Sequence, residues 1–218
     1  MASNVDICNL ALAHLGDDAT VSSISPPEGS AQAEHCARFY PIARDVALEA
    51  HPWNFSTKRT LLAEVTDAAP DSWQYAYSLP ADCLGASSVL NIWEDGSSQD
   101  DEGRDFIVET LENGNVVIYT DAELATCRYI ARVTDTTKYS PLFIDTLSWL
   151  LASYLAGPVV KGETGMQVSQ GMLKMYMNML GKASTSDASA RKIKPKHTPE
   201  WVSARGMNTQ IPDAWVRR

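Results

Sequence analysis

Six residues, HPWNFS at 51–56, set a histidine within reach of an asparagine and a serine. Those are residue types from which a nucleophile and its base can be built. No further partner stands at a readable spacing from His51, so the triad logic is incomplete. A second candidate lies in NIWEDGSSQDDEGRD, residues 91–105, where Glu94, Asp95, Asp100, Asp101 and Glu102 could supply the facing carboxylates of a glycosidase. That stretch is rich in Gly and Ser and reads as an exposed loop. Nothing near it predicts the raised pKa that an acid catalyst needs. It also misses the alternating ligands of a calcium loop, because Gly96 directly follows Glu94 and Asp95.

The remaining chemistry-bearing residues are scattered. His14, His35, His51 and His197 include no i, i+4 pair that would place two imidazoles on one metal. Cys8, Cys36, Cys83 and Cys127 are far apart, contain no CxxC, and each sits in an apolar pattern, which predicts buried thiols in a reducing compartment. GxSxG, GxxxxGK[ST], GxGxxG and HExxH are all absent. The expectation is a protein with no catalytic residues, no cofactor and no metal.

The elements that carry these residues follow from periodicity. Residues 4–15 read as a helix, with Asn4 as cap, Cys8, Ala11, Leu12 and Leu15 on one face, and Gly16 as a left-handed stop. After the loop containing Pro26 and Pro27, a second helix carries Cys36, Phe39, Tyr40, Ala43, Val46, Ala47 and Ala50. It passes through Pro41 and ends before His51, which precedes Pro52. From about Thr57 to Thr137 the period becomes two. Trp73, Tyr75, Tyr77 and Leu79 alternate with polar or small residues, as do Cys127, Tyr129, Ala131 and Val133, and Asn113-Gly114 supplies the tight turn of a hairpin over 106–120. These predict half-buried strands of one antiparallel sheet.

Helical spacing returns after the cap Ser140 and the first-turn Pro141, running to Gly157-Pro158. A last helix over about 163–182 carries two apolar stripes. One holds Met166, Ser169, Leu173, Tyr176 and Leu180, the other Val168, Met172, Met175 and Met179. Two stripes cannot both face one small bundle, so Met172, Met175 and Met179 are expected at an interface with a neighbouring subunit.

Four amphipathic helices bury their faces only if the first pair meets the second. The predicted class is therefore α+β: a four-helix bundle formed by residues 1–56 and 138–183, an inserted antiparallel β domain over 57–137, and an extended C-terminal arm over 184–218. Trp53 and Phe55 enter the bundle where the chain leaves it, as a structural joint, with His51 satisfying a local backbone group. Neither a membrane span nor a secretory leader is expected from the sequence.

Charge separates body from arm. Residues 1–181 hold 10 Lys+Arg against 24 Asp+Glu, a net of −14, whereas residues 182–218 hold 8 against 3, a net of +5. So acidic a body is unsuited to sequence-independent DNA binding, which depends on cations displacing counterions from phosphate. In the arm, Lys192, Lys194, Lys196, Trp201, Arg205, Trp215, Arg217 and Arg218 combine aromatics with cations. Such residues can stack on nucleotides, but they are also the usual anchors of protein interfaces, which is the favoured reading.

In order along the chain, ICNLALAHLG, RFYPIARDVALEAHPWNFSTKR, WQYAYSLPADCL and YIARVTDTTKYSPLFIDTLSWLLASYLA resemble the tail tubular protein A family, the head-to-tail adaptors of short-tailed bacteriophages. The resemblance covers about residues 5–180. PWNF and YxYxLPxDCL are its most specific parts, whereas the acidic loop and the arm match no family motif. It implies a helical bundle with an inserted antiparallel β domain, and a structural virion protein without an active site. It further implies a ring, usually of twelve copies, joining the portal to the tail nozzle at the head-tail junction. A C-terminal arm embraces the portal, and DNA passes through the channel without sequence-specific binding. Tail fibres are a possible further partner. Two other readings remain open: a tail-associated polysaccharide or peptidoglycan hydrolase using the acidic residues of the β domain, and a connector or completion protein of a long-tailed phage.

Overall fold

The computed structural model describes residues 2–66, 70, 72–91 and 103–190. Among these residues the fold is mixed helix and sheet, with four α-helices and two antiparallel sheets. Helix α1 spans Asn4–His14. Its cap is Ser3, not Asn4, because only Ser3 closes a reciprocal box. The Asp6 amide donates to Ser3 Oγ at 3.1 Å and the Ser3 amide donates to Asp6 Oδ2 at 2.8 Å. Helix α2, Ala31–Glu49, is capped by Ser30 and runs through Pro41 as its periodicity requires. Helix α3, Pro141–Val160, is capped by Ser140 and buries ten residues. It extends past Gly157-Pro158 and stops at Lys161 and Gly162, both with positive φ (60° and 64°).

Helix α4 follows at once and runs over Gly162–Ser189, seven residues beyond the expected end. Residues 184–189, assigned by sequence to the arm, are its last turns. The hydroxyls of Ser184 and Thr185 donate back to the Gly181 carbonyl at 3.1 and 2.8 Å, which lets this polar run stay helical. Near its start α4 lies against α3 through Gly165, where an added Cβ would stand 3.1 Å from the Ala156 carbonyl oxygen. All four helices contribute to one core, which includes Ile7, Leu12, Cys36, Leu48, Trp53, Phe143, Leu151 and Tyr176. Helix α4 buries only Gly165, Tyr176 and Ala183, so it is the peripheral member.

Among the described residues α3 alone is long and apolar enough to cross a membrane. Its apolarity is accounted for by its central position, with Phe143, Leu147, Leu151 and Leu155 fully buried in the core it shares with α1 and α2.

The segment between α2 and α3 forms two antiparallel sheets where one was expected. Strands β1 (Thr57–Leu61), β4 (Cys83–Asn91) and β7 (Ala125–Ala131) form the first, in the order β1-β7-β4. Strands β2 (Ala63–Glu64), β3 (Tyr75–Ser78), β5 (Phe106–Thr110) and β6 (Val116–Thr120) form the second, in the order β2-β3-β6-β5. The chain passes from one sheet to the other at Leu62, which is buried with Tyr77, Val89, Ile118, Cys127 and Tyr129 in a core drawn from both. Strand β7 is buried at six of its seven positions, so the half-buried alternation expected for it does not hold. It pairs on both edges, one face joins the β core, and α2 lies against it and β4. In the β5–β6 hairpin only Gly114 has positive φ (82°); the Leu111 amide donates to the Asn115 carbonyl at 2.8 Å, closing a longer loop than the expected two-residue turn.

Candidate functional site: the aromatic joint and the outer face of the last helix

The joint is built from the end of α2 outward. Helix α2 stops at Ala50 because His51 precedes Pro52. The next residues form a turn, since the amides of Ser56 and Thr57 both donate to the Trp53 carbonyl, at 3.1 and 2.9 Å. That turn places Trp53 and Phe55 together, as expected. Trp53 is fully buried, and its Nε1–H donates at 2.9 Å to the Ala47 carbonyl, one of the unpaired acceptors at the end of α2. Ring centroids lie 5.1 Å apart for Trp53–Phe143, 5.0 Å for Phe55–Phe143, 5.5 Å for Phe55–Tyr139 and 4.8 Å for Tyr139–Phe143. Edge-to-face packing of this kind adds to the area buried by each ring.

Sequence reasoning missed the residue that locks the joint. Asp187, in the last turn of α4, accepts the Asn54 amide on both carboxylate oxygens at 3.2 and 3.1 Å, and its carbonyl accepts from Asn54 Nδ2 at 2.7 Å. Contrary to the expectation from sequence, the His51 ring Nε2 satisfies no local backbone group. Its Nε2 faces Asp187 Oδ2 at 3.4 Å, outside hydrogen-bond geometry, and its ring meets the edge of Trp53 at 4.8 Å. Ser56 is buried and its hydroxyl donates to the Trp53 carbonyl, so it is not poised as a nucleophile beside His51. A second tie fixes the β domain on the helices: Asp45 of α2 pairs with Arg132, just past β7, at 3.0 Å.

One His–Ser pair does come together across the fold. His14 Nε2 lies 3.0 Å from Ser148 Oγ, and the imidazole stacks on Trp149 with centroids 3.6 Å apart. Burial holds the His14 pKa below its usual range, against the pull of Asp145. The Ser148 hydroxyl is fully buried and donates to the Asp145 carbonyl at 2.7 Å. His14 is therefore the donor to Ser148, the reverse of a base that activates a nucleophile. The pair staples the end of α1 to α3.

Cys8 and Cys36 are buried together, and their mutual hydrogen bond with burial pushes the Cys8 thiol up; Cys127 is also buried, while Cys83 is half-buried. Among the described residues no group of three or more His, Cys, Asp or Glu could hold a metal.

The methionine-rich helix α4 is oriented differently from the sequence expectation. Met172, assigned to a subunit interface, packs against the helical core, as does Leu180, while Met179 is half-buried. Met175 does face outward. The most exposed apolar side chains of α4 are Met166 at 67%, Met177 at 58%, and Leu173 and Met175 at 41% each. The acidic-loop residues Glu94, Asp95, Asp100, Asp101 and Glu102 lie outside the described residues. So do Lys192, Lys194, Lys196, Trp201, Arg205, Trp215, Arg217 and Arg218 of the predicted arm. The chain matches no protein-family model, and no curated protein matches it in sequence.

Proposed function

We propose that the protein is a structural virion component, a head-to-tail adaptor of a bacteriophage. Its copies form a ring of about twelve between the portal and the tail nozzle, with a channel through which DNA passes; the copy number comes from the resemblance alone. The observation that carries this reading is the outer face of α4, where Met166, Leu173 and Met177 are exposed on one side of a helix whose inner face is already occupied. An apolar face of this kind is what a subunit contact covers. The helix, strand, helix order that the resemblance implies is also the order observed.

On this reading α1–α4 serve as the four-helix bundle, the basic C-terminal residues grip the portal, and the acidic body lines the channel and repels phosphate. The protein acts in the virion, not as an enzyme. The test removes residues 191–218, leaving Asp187 and the whole of α4 in place, and measures mass with and without the portal protein of the same phage. The expected result is a folded, helical protein that no longer binds portal. Retained binding overturns the arm assignment. A full-length chain that stays monomeric on the portal overturns the ring.

A further inference from the structure

We infer that the outer face of α4 in one copy is covered by the outer face of α2 in the next, the two helices running parallel. This deepens the ring reading and rests on it, because it names the surface that the neighbouring copy presents. On α2, Arg38, Pro41, Ile42, Val46 and Glu49 lie on one side of the helix and all are exposed, with Ile42 at 53% and Val46 at 39%. On α4, Glu163, Met166, Leu173, Lys174 and Met177 lie on one side and all are exposed. Between its two charges each face carries an apolar strip, Ile42 and Val46 on α2 and Met166 and Leu173 on α4, the latter beside the exposed Gln170.

The charges select both the partner and its direction. Arg38 and Glu49 are eleven residues apart, and so are Glu163 and Lys174. Eleven residues make about three turns and about 16 Å, so each charged pair stays on one side of its helix at matched separation. In a parallel pairing Arg38 meets Glu163 and Glu49 meets Lys174, opposite signs at both ends. Antiparallel pairing would set Glu163 against Glu49 and Lys174 against Arg38, like signs at both ends. Between the charges, Ile42 and Val46 fall opposite Met166 and Leu173. All four side-chain charges lack an ion pair among the described residues. Both faces are exposed in the single chain, so they do not cover each other within it. Two different faces that fit each other make a head-to-tail contact, which repeats around a ring and does not stop at a dimer. Flexible methionines on α4 adapt to the branched Ile42 and Val46.

The test uses full-length chains in which Cys83 is replaced by Ser. One chain carries Ile42→Cys and a second, of different tag, carries Met166→Cys; they are mixed and treated with a short bismaleimide. The expected product is the mixed dimer, in excess over the dimers either chain forms alone. Val46→Cys with Leu173→Cys gives a second pair should the first disturb folding. Reversing Glu163→Lys and Lys174→Glu should lower the mixed yield about tenfold, through repulsion at both ends, and Arg38→Glu with Glu49→Lys in the partner should restore it. No mixed dimer at any concentration, or equal yield from like chains, overturns the contact. A ring that forms on the portal but ignores these reversals also overturns the contact and leaves the adaptor reading standing. A mixed dimer from chains that never form a ring on the portal leaves the contact and removes the adaptor reading.

Discussion

Replacing Trp53 by alanine removes the centre of the aromatic joint, and the cost can be worked from its surroundings. The side chain is fully buried, it touches Phe143, Phe55 and His51, and it carries the hydrogen bond to the Ala47 carbonyl. Truncating a buried Trp to Ala costs about 3–5 kcal/mol through lost transfer energy and an unfilled cavity. Relaxation is limited here, because the neighbouring rings are held by Tyr139, whose hydroxyl donates to the Val133 carbonyl at 2.6 Å. In a protein of this size such a loss lowers Tm by about 6–20 °C. Trp53→Phe keeps much of the ring volume but strands the Ala47 acceptor, and should cost about 1–3 kcal/mol. Urea unfolding followed by circular dichroism at 222 nm, with the denaturant slope held constant, measures both. A Trp53→Ala change below about 1 kcal/mol would refute the assignment of this residue as the joint.

Asp187→Ala should cost about 1–3 kcal/mol, since it deletes the acceptor of the Asn54 amide. Hydrogen exchange should quicken over the last two turns of α4, and unchanged protection there would count against the lock. Asp82 gives a pH signature. The Lys58 ammonium at 2.6 Å, together with the Tyr129 hydroxyl, holds its carboxyl below the usual range against a smaller opposing effect of burial. A depressed folded pKa stabilises the fold above the ordinary carboxylate pKa near 4 and loses that contribution as pH falls through the folded value. Asp82→Asn should therefore cost about 0.2–1 kcal/mol at pH 7, the group being partly exposed, and the difference from the parent should shrink away as pH falls below the ordinary carboxylate range and through the lowered folded pKa. A difference independent of pH would exclude this pairing as its origin.

Periodicity was sufficient for α1 and α2, which each present one apolar face, and the nearly continuous apolar run of α3 between Ser140 and Lys161 was sufficient for a central helix. It failed on α4, where apolar residues surround the helix and only the close approach at Gly165 and the core contacts of Met172 and Tyr176 decide which side turns inward. The polar run at 184–189 looked like the start of an arm because its helix is held by hydroxyls and by Asp187, whose partner Asn54 is 133 residues away. No local pattern encodes such a pairing. Strand β7 concealed its burial behind Arg128, and the passage between sheets at Leu62 rests on one apolar residue between two short strands. The Trp53 and Phe55 cluster was legible because a proline stop followed by two aromatics leaves few places for the rings except the core.

Where the chain leaves the helices it also returns to them. Thr57 stands opposite Ile130 across one rung of the sheet, and the Ala131 amide donates to the Ser56 carbonyl at 2.8 Å. The exit and the re-entry are thus neighbours, separated by about one strand spacing of 4.7–4.9 Å. Seen as architecture for engineering, the β domain is a cassette with adjoining ends. A two-residue turn placed between Ser56 and Ala131 would close the helical part on itself, and any domain whose termini lie equally close could take its place without moving α2 or α3.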